Sequence, residues 1–429
     1  MSALEALIRK NLRFNIAISM TDATFFGLGW GFSSFGTILP LFVSSMTDSA
    51  ILIGLIPAIH SVGWQLPQLL TANRVARLRR YKPMVLMMTI HERVPFLGLA
   101  LAAGLLPFLG AGLILPFTFL LLIWQGLGSG FTANPWQSMI AKIIPSDYRG
   151  TFFGVQSAFA NIVISASAVG AGYLLGWLDS PLDFVLCFLV ASVGYGLSML
   201  VLGFTLEPVD ELKEIPAETR SPFTGMGAIL KRDRNFSWFL AMRIIYQFAS
   251  MGFAFYIVYG LRQFNMDEIT AGFMTAALTV SQTVANVGMG WLADRWGHRT
   301  ILIFGMLMVS LSSLLAWAAP DLSWFYAVFI FSGLANVAFW TIGMAMTVEF
   351  GTEAERPIYI GMANTLVAPA TILAPLLGGW IADVAGYQTT FMISVVGGLV
   401  TAAILVFLIK DPKKLIVKTQ TELPPTQAS

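Results

Sequence analysis

Four ionisable side chains lie several residues inside long apolar runs: Asp22, Glu92, Arg93 and Arg243, with His91 beside the second and third. Charges in hydrocarbon are costly, so such residues face a cavity or a partner. Their chemistry would be proton exchange or anion binding. Burial favours a neutral carboxyl group and a nearby guanidinium favours a charged one, so a protein that alters that proximity can take up and release a proton. Asp22, Glu92, His91 and Arg93 are therefore candidates for proton coupling, against the competing reading of a static ion-pair network. Glu92 and Arg93 are sequence neighbours and point about 100° apart on a helix. At least one must reach another helix, and Asp22 is the expected partner of Arg93. Arg243 can grip a carboxylate or phosphate bidentately, or pair with an intramembrane acid. His60, mid-run beside Trp64 and Gln65, reads as a packing histidine.

Polar residues recur at helical spacing in other runs. Asp22, Phe26, Gly29 and Ser33 share one helix face, as do Arg243, Tyr246, Gln247 and Ser250. Gln125, Ser129, Thr132 and Trp136 form a third set, Thr275, Thr279, Gln282 and Asn286 a fourth, and Asn336, Trp340, Gly343 and Thr347 a fifth. Arg243, Gln247, Tyr246, Gln282, Asn336, Trp340 and Trp136 are the candidate substrate contacts. The competing reading is helix–helix packing, which uses the same small and hydroxyl residues.

Those stripes need helices to carry them, and the composition supplies these. Hydrophobic residues make up 56% of the 429-residue chain and charged residues 11%, which excludes an ordinary soluble domain. Apolar runs of about 20 residues or more recur without strand-like alternation, so the spans are helices. About twelve are expected: Asn15–Val43, Ala50–Ala72, Pro83–Leu106, Leu113–Ile144, Thr151–Leu178, Phe184–Leu206, Phe236–Leu261, Ile269–Ala293, Thr300–Ala318, Trp324–Val348, Tyr359–Ile381 and Thr389–Ile409. Spans three, six, nine and twelve are nearly wholly apolar, apart from His91-Glu92-Arg93 in span three. The amphipathic, basic Ala3–Asn15 segment has no cleavage site after it and suits an inner membrane surface.

All but Arg93, Arg243 and Arg262 of the 25 basic residues fall on one side of this arrangement. The asymmetry places both termini and the central connector in the cytoplasm. A plasma (inner) membrane is the expected location. The net charge of +2 makes no case for nucleic acid. One cysteine and three scattered histidines exclude a disulfide framework and offer no metal cluster. No Gly-rich loop ending in Lys-Ser or Lys-Thr is present, so nothing suggests ATP hydrolysis, and no cofactor is expected.

The polar stretch Glu207–Asn235 divides the chain, giving an amino-terminal six-helix bundle (1–206), a cytoplasmic linker (207–235) and a carboxyl-terminal six-helix bundle with a short tail (236–429). Ser221–Leu230 suits a short surface helix. The halves repeat one another. Ala72-Asn73-Arg74 ends span two as Ala293-Asp294-Arg295 ends span eight, and Arg149…Gly154 opens span five as Arg356…Gly361 opens span eleven. Parallel internal repeats are a known transporter architecture.

The loop Gly290-Trp291-Leu292-Ala293-Asp294-Arg295-Trp296-Gly297-His298-Arg299, with Pro145–Gly150 and Gly378–Asp383, resembles the loop signatures of the major facilitator superfamily of secondary transporters. The resemblance covers essentially the whole chain. It implies an all-α integral membrane protein of twelve transmembrane helices in two pseudo-symmetric bundles. It also implies that Asp294 helps lock the cytoplasmic side, with Arg295 and Arg299 as partners. Gly290 and Gly297 would permit close helix approach and a tight turn. The amino-terminal copy departs from the pattern: Leu69 replaces the first glycine and Asn73 the acid, so the lock should be lopsided.

The expected function is alternating-access transport of a small molecule, proton-coupled, by a monomer in the lipid bilayer. The many aromatic residues suit efflux of an amphipathic compound. Span five, however, has Ala168-Val169-Gly170-Ala171-Gly172 without the proline of drug-antiporter patterns, and Pro375–Gly379 in span eleven keeps it instead. The alternatives are a transporter-like ligand sensor without net flux and a membrane-embedded enzyme.

Overall fold

The computed structural model describes residues 3–47, 49–210, 222–266 and 268–412. Lys213, Arg220, Lys413, Lys414 and Lys418 of the charge argument lie outside these. The described residues contain helices and no strand. Among the described residues, nine helices are long and apolar enough to cross a membrane. The other three spans are also helical: span one and span two are interrupted, and span eight is the more polar helix Glu268–Trp296.

The interruptions have local causes. Span one runs unbroken through Ala3–Phe32, so the amphipathic segment continues the helix instead of forming a separate surface element. It breaks at 33–37 and resumes at Ile38–Ser44. Pro40 has no N–H and would crowd the carbonyl of Gly36, four residues back. Span two breaks before Gln68 at Leu66-Pro67, and span eleven before Ala368, one residue ahead of Pro369, for the same reason. Span seven passes from Arg234–Ala249 through a 3₁₀ turn at Met251–Phe255 into Tyr256–Phe264. Span ten contains a π-turn at Ala338–Ile342.

The chain forms two compact units. One comprises Met1–Pro145, Phe159–Pro222 and Ile360–Ala368; the other comprises Ser146–Ala158, Phe223–Tyr359 and Pro369–Ser429. Each unit therefore includes a short segment drawn from the other half of the sequence. Inside the first unit, span three packs on four and six, one on six, and two on four. Inside the second, nine packs on ten and twelve, seven on twelve, and eight on ten, which is the same set of neighbours repeated.

Two asparagines fix the corresponding register. Asn15 donates to the Leu206 carbonyl and accepts from the Leu206 N–H (3.0 and 2.9 Å). Asn235 makes the same pair of bonds with Lys410 (2.9 and 2.7 Å). Counted from these asparagines, the breaks in spans one and seven overlap.

Interrupted helices at matching positions of a repeat point to a ligand site, because freed backbone groups are tolerated where they line a cavity.

The connector is tied down at both described ends. Lys142, buried at the end of span four, pairs with Glu207 and Asp210 at 3.1 and 3.2 Å. Glu207 also accepts the backbone N–H groups of Tyr81 and Lys82. The helix Pro222–Arg232 covers the stretch expected to be a surface helix. At its end Arg232 donates to Glu355 at 2.5 Å, a bond that raises the guanidinium above its usual range.

Candidate functional site

In the first unit, Asp22, Arg93 and two span-six residues converge. Arg93 Nη2 lies 4.0 Å from Asp22 Oδ1, while Nη1 donates to the Tyr195 carbonyl at 2.7 Å. Ser198 donates a short hydrogen bond to the same Asp22 oxygen. Tyr195 and Ser33 share a hydrogen bond at 3.2 Å, which brings the cluster to the break in span one. Asp22, Glu92 and Arg93 are each at most 9% exposed. His91 faces the other way: it is exposed and accepts from Trp124 Nε1 at 3.2 Å. One residue along a helix turns the side chain by about 100°, which separates it from the cluster.

His60 bonds to Gln125 Oε1 at 3.0 Å and sits between the rings of Trp30 and Phe35. Trp136 packs half-buried against the Val75, Tyr81 and Met84 cluster, away from these polar groups.

In the second unit, the break in span seven borders a cavity of about 110 Å³. Gln247, Tyr246, Asn336 and Trp340 line it, together with Ser312, Ser313, Ser332 and Tyr256. Tyr256 Oη contacts Ser312 Oγ at 3.0 Å and Ser313 Oγ at 2.8 Å, and Ser332 donates to Ser312 at 3.2 Å. Arg243 lies elsewhere. It donates to Thr347 Oγ1 at 3.2 Å and is flanked by the rings of Phe239 and Phe339. Gln282 is also outside the cavity; its carbonyl accepts from Asn286, which in turn accepts from Thr341 at 2.6 Å.

At the start of span five, Asp294 accepts two backbone bonds. Oδ1 takes the Gly150 N–H at 2.9 Å and Oδ2 the Thr151 N–H at 2.6 Å. These are orphan donors of the first turn of the helix Arg149–Trp177, where the positive end of the helix dipole favours an anion. Close approach makes this possible: a Cβ on Gly154 would collide with the Asn286 carbonyl, and one on Gly290 with the Gly150 carbonyl. Gly297 adopts φ +95°, which ends the helix and reverses the chain.

Arg295 and Arg299, the expected partners of Asp294, each make another contact. Arg295 lies over the Trp291 ring at 3.8 Å. Arg299 caps the end of span twelve, donating to the Leu405 and Val406 carbonyls at 2.8 and 2.5 Å. At a helix carboxyl terminus a guanidinium is favoured, which explains the preference. A basic side chain that approaches Asp294 is His298. It is fully buried, with Nε2 3.9 Å from Asp294 and Nδ1 3.3 Å from Glu349.

A family model described as the Major Facilitator Superfamily matches residues 87–261 and 243–427. The chain belongs to the Major Facilitator Superfamily. Members of this superfamily are transporters and not enzymes. Among its relatives, an uncharacterised MFS-type transporter of Mycobacterium tuberculosis is 26% identical over 311 residues, covering 70% of this chain and 72% of that protein. Multidrug resistance protein 2 of Bacillus subtilis is 27% identical, but the match spans only 34% of this chain and 36% of that protein. Among solved structures, the Escherichia coli fucose:proton symporter FucP aligns over 91% of this chain and 98% of its own, with a TM-score of 0.76 and 15% identity. That likeness fixes the fold of this MFS protein as a multi-pass helical membrane protein.

Several polar residues at these MFS sites lie in spans that are otherwise apolar. Span nine, expected to be nearly wholly apolar, buries three hydrogen-bonded serines, Ser310, Ser312 and Ser313. Tyr195 and Ser198 of span six were hidden in the same way. Their signal was present: a hydroxyl every three or four residues on one face of an otherwise apolar helix.

Proposed function

We propose that this MFS protein is a proton-coupled secondary transporter of a small, weakly polar molecule. It works by alternating access, as a monomer in the plasma membrane with both termini in the cytoplasm. The observation that carries the reading is the Asp22–Arg93–Ser198 cluster. A carboxylate so deep in an apolar unit persists only with partners, and this one has a guanidinium at 4.0 Å and a hydroxyl. Arg93 already holds a second acceptor, the Tyr195 carbonyl, so protonating Asp22 need not leave the guanidinium bare. Glu92 is the secondary candidate. FucP, a fucose:proton symporter by its description, and a relative named for multidrug resistance support proton coupling and efflux of amphipathic compounds respectively.

The gate in this reading is the Asp294 clasp, and the substrate contacts are Gln247, Tyr246, Asn336 and Trp340. Arg243 is a buried support of the same unit. The test is reconstitution into vesicles carrying a trapped pH dye. Imposing a solute gradient should move protons in the wild type, and Asp22→Asn should abolish that movement while leaving the protein folded. Undiminished proton movement in Asp22→Asn would remove Asp22 from the mechanism.

A further inference from the structure

The cavity in the second unit holds one buried polar atom that its neighbours leave unused. Gln247 is 9% exposed, and its Nε2 has no hydrogen-bond partner, although its backbone carbonyl accepts from Ser250. An orphaned amide N–H is costly in such a place, and native structures reserve such groups for a ligand or an ordered water. Four of the hydroxyls around it are already engaged: Tyr256 with Ser312 and Ser313, and Ser332 with Ser312 and the Val328 carbonyl. Among the described residues that line the cavity, the fully buried side-chain atom left without a partner is this amide N–H, which wants an acceptor.

Among the described residues lining this cavity, none carries a charged side chain. An ionised group entering it would lose its hydration without gaining a counter-charge, which is strongly unfavourable. Arg243, four residues from Gln247, does not line it and is turned toward Thr347 and two aromatic rings. The apolar part of the wall is aromatic, from Tyr246, Phe253, Tyr256 and Trp340. At about 110 Å³ the space is somewhat smaller than a cavity of roughly 150 Å³ that accepts benzene. It would hold a few water molecules or one small ring.

We infer that this cavity recognises an uncharged ring bearing a hydrogen-bond acceptor, such as a carbonyl or ether oxygen, with Gln247 Nε2 as the donor. Reading that ring as part of the transported molecule rests on the transporter function proposed above. The chemistry of the pocket itself does not.

The test uses the full chain in lipid nanodiscs and three five-membered rings: neutral 2-pyrrolidone, the pyrrolidinium cation and the pyrrole-2-carboxylate anion. Binding is read by saturation-transfer NMR on the probe. 2-Pyrrolidone should bind saturably, and neither charged ring should displace it. Gln247→Leu, which keeps the volume but removes the donor, should weaken binding by about three- to tenfold with an unchanged thermal melt. Asp22→Asn should lose gradient-driven proton movement yet bind 2-pyrrolidone normally, which separates failure of the transport reading from failure of the pocket. Absence of saturable 2-pyrrolidone binding, equal competition by either charged ring, or undiminished binding in Gln247→Leu overturns the inference.

Discussion

The two copies of the helix-end loop solve the same packing problem with different chemistry. In the second unit, a charged oxygen pair on Asp294 takes two backbone N–H groups from the start of span five, and glycines at 150, 154 and 290 let the backbones touch. In the first unit, the span-two copy meets the segment Ile360–Ala368 through neutral groups. Asn364 donates to Gln68 Oε1 at 2.7 Å, and Thr365 Oγ1 bridges the Leu69 N–H and the Gln65 carbonyl. Only Gly361 supplies room there, with a Cβ at that position falling 2.9 Å from Leu69 Cα. Pro357 stands where span five has Gly150, and proline has no N–H to offer a carboxylate. A repeat thus preserves the close helix crossing while keeping only one charged clasp.

The largest effect should come from neutralising the charged clasp. Asp294→Asn is expected to cost about 2–4 kcal/mol, since charge-assisted bonds to two orphan N–H groups weaken together. A thermal melt in detergent reads this directly, and Asn73→Asp should give no matching gain. Next is the backbone contact. Gly290→Leu installs the residue already tolerated at position 69, but here it meets the Gly150 carbonyl and should cost about 1–3 kcal/mol. Leu69→Gly should shift the melt by less.

His298→Gln should cost about 1–2 kcal/mol by loosening Asp294 and Glu349, and the loss should shrink when Glu349→Gln is added. In the neutral clasp, Asn364→Ala should cost about 1 kcal/mol, typical of one uncharged hydrogen bond. Smallest of all is Arg295→Gln: an exposed cation over an indole contributes about 0.5–1 kcal/mol.

The fold was legible because bilayer physics writes it plainly. Run length, one-sided basic residues and the repeated loop demand paired helical bundles, and the recurrence of the same neighbours in each unit agrees with that. The helix breaks were marked by Pro40, Pro67 and Pro369, though their alignment across the repeat emerged only once Asn15 and Asn235 fixed the register. Site residues were legible where burial alone singles them out. Asp22 and Arg93 do meet, because an intramembrane charge needs a partner and few were available. Direction was the harder matter. His91 and Arg295 are adjacent to candidate site residues in sequence and turn away in space, since one step along a helix changes the face presented. Ser198 and Ser312 were overlooked because a single hydroxyl in an apolar span reads the same whether it bonds back to its own helix or across to another.

The claim that the Asp294 clasp is the stronger of the two can be put to one measurement. In a Cys187→Ser background, Thr151→Cys retains the backbone N–H and places a thiol at the clasp. Its rate of modification by a membrane-impermeant maleimide reports how often the contact opens. Adding Asp294→Asn should raise that rate by about tenfold or more, whereas adding Asn364→Ala in the neutral clasp should change it by less than about threefold. Equal rates with and without Asp294→Asn would contradict the account.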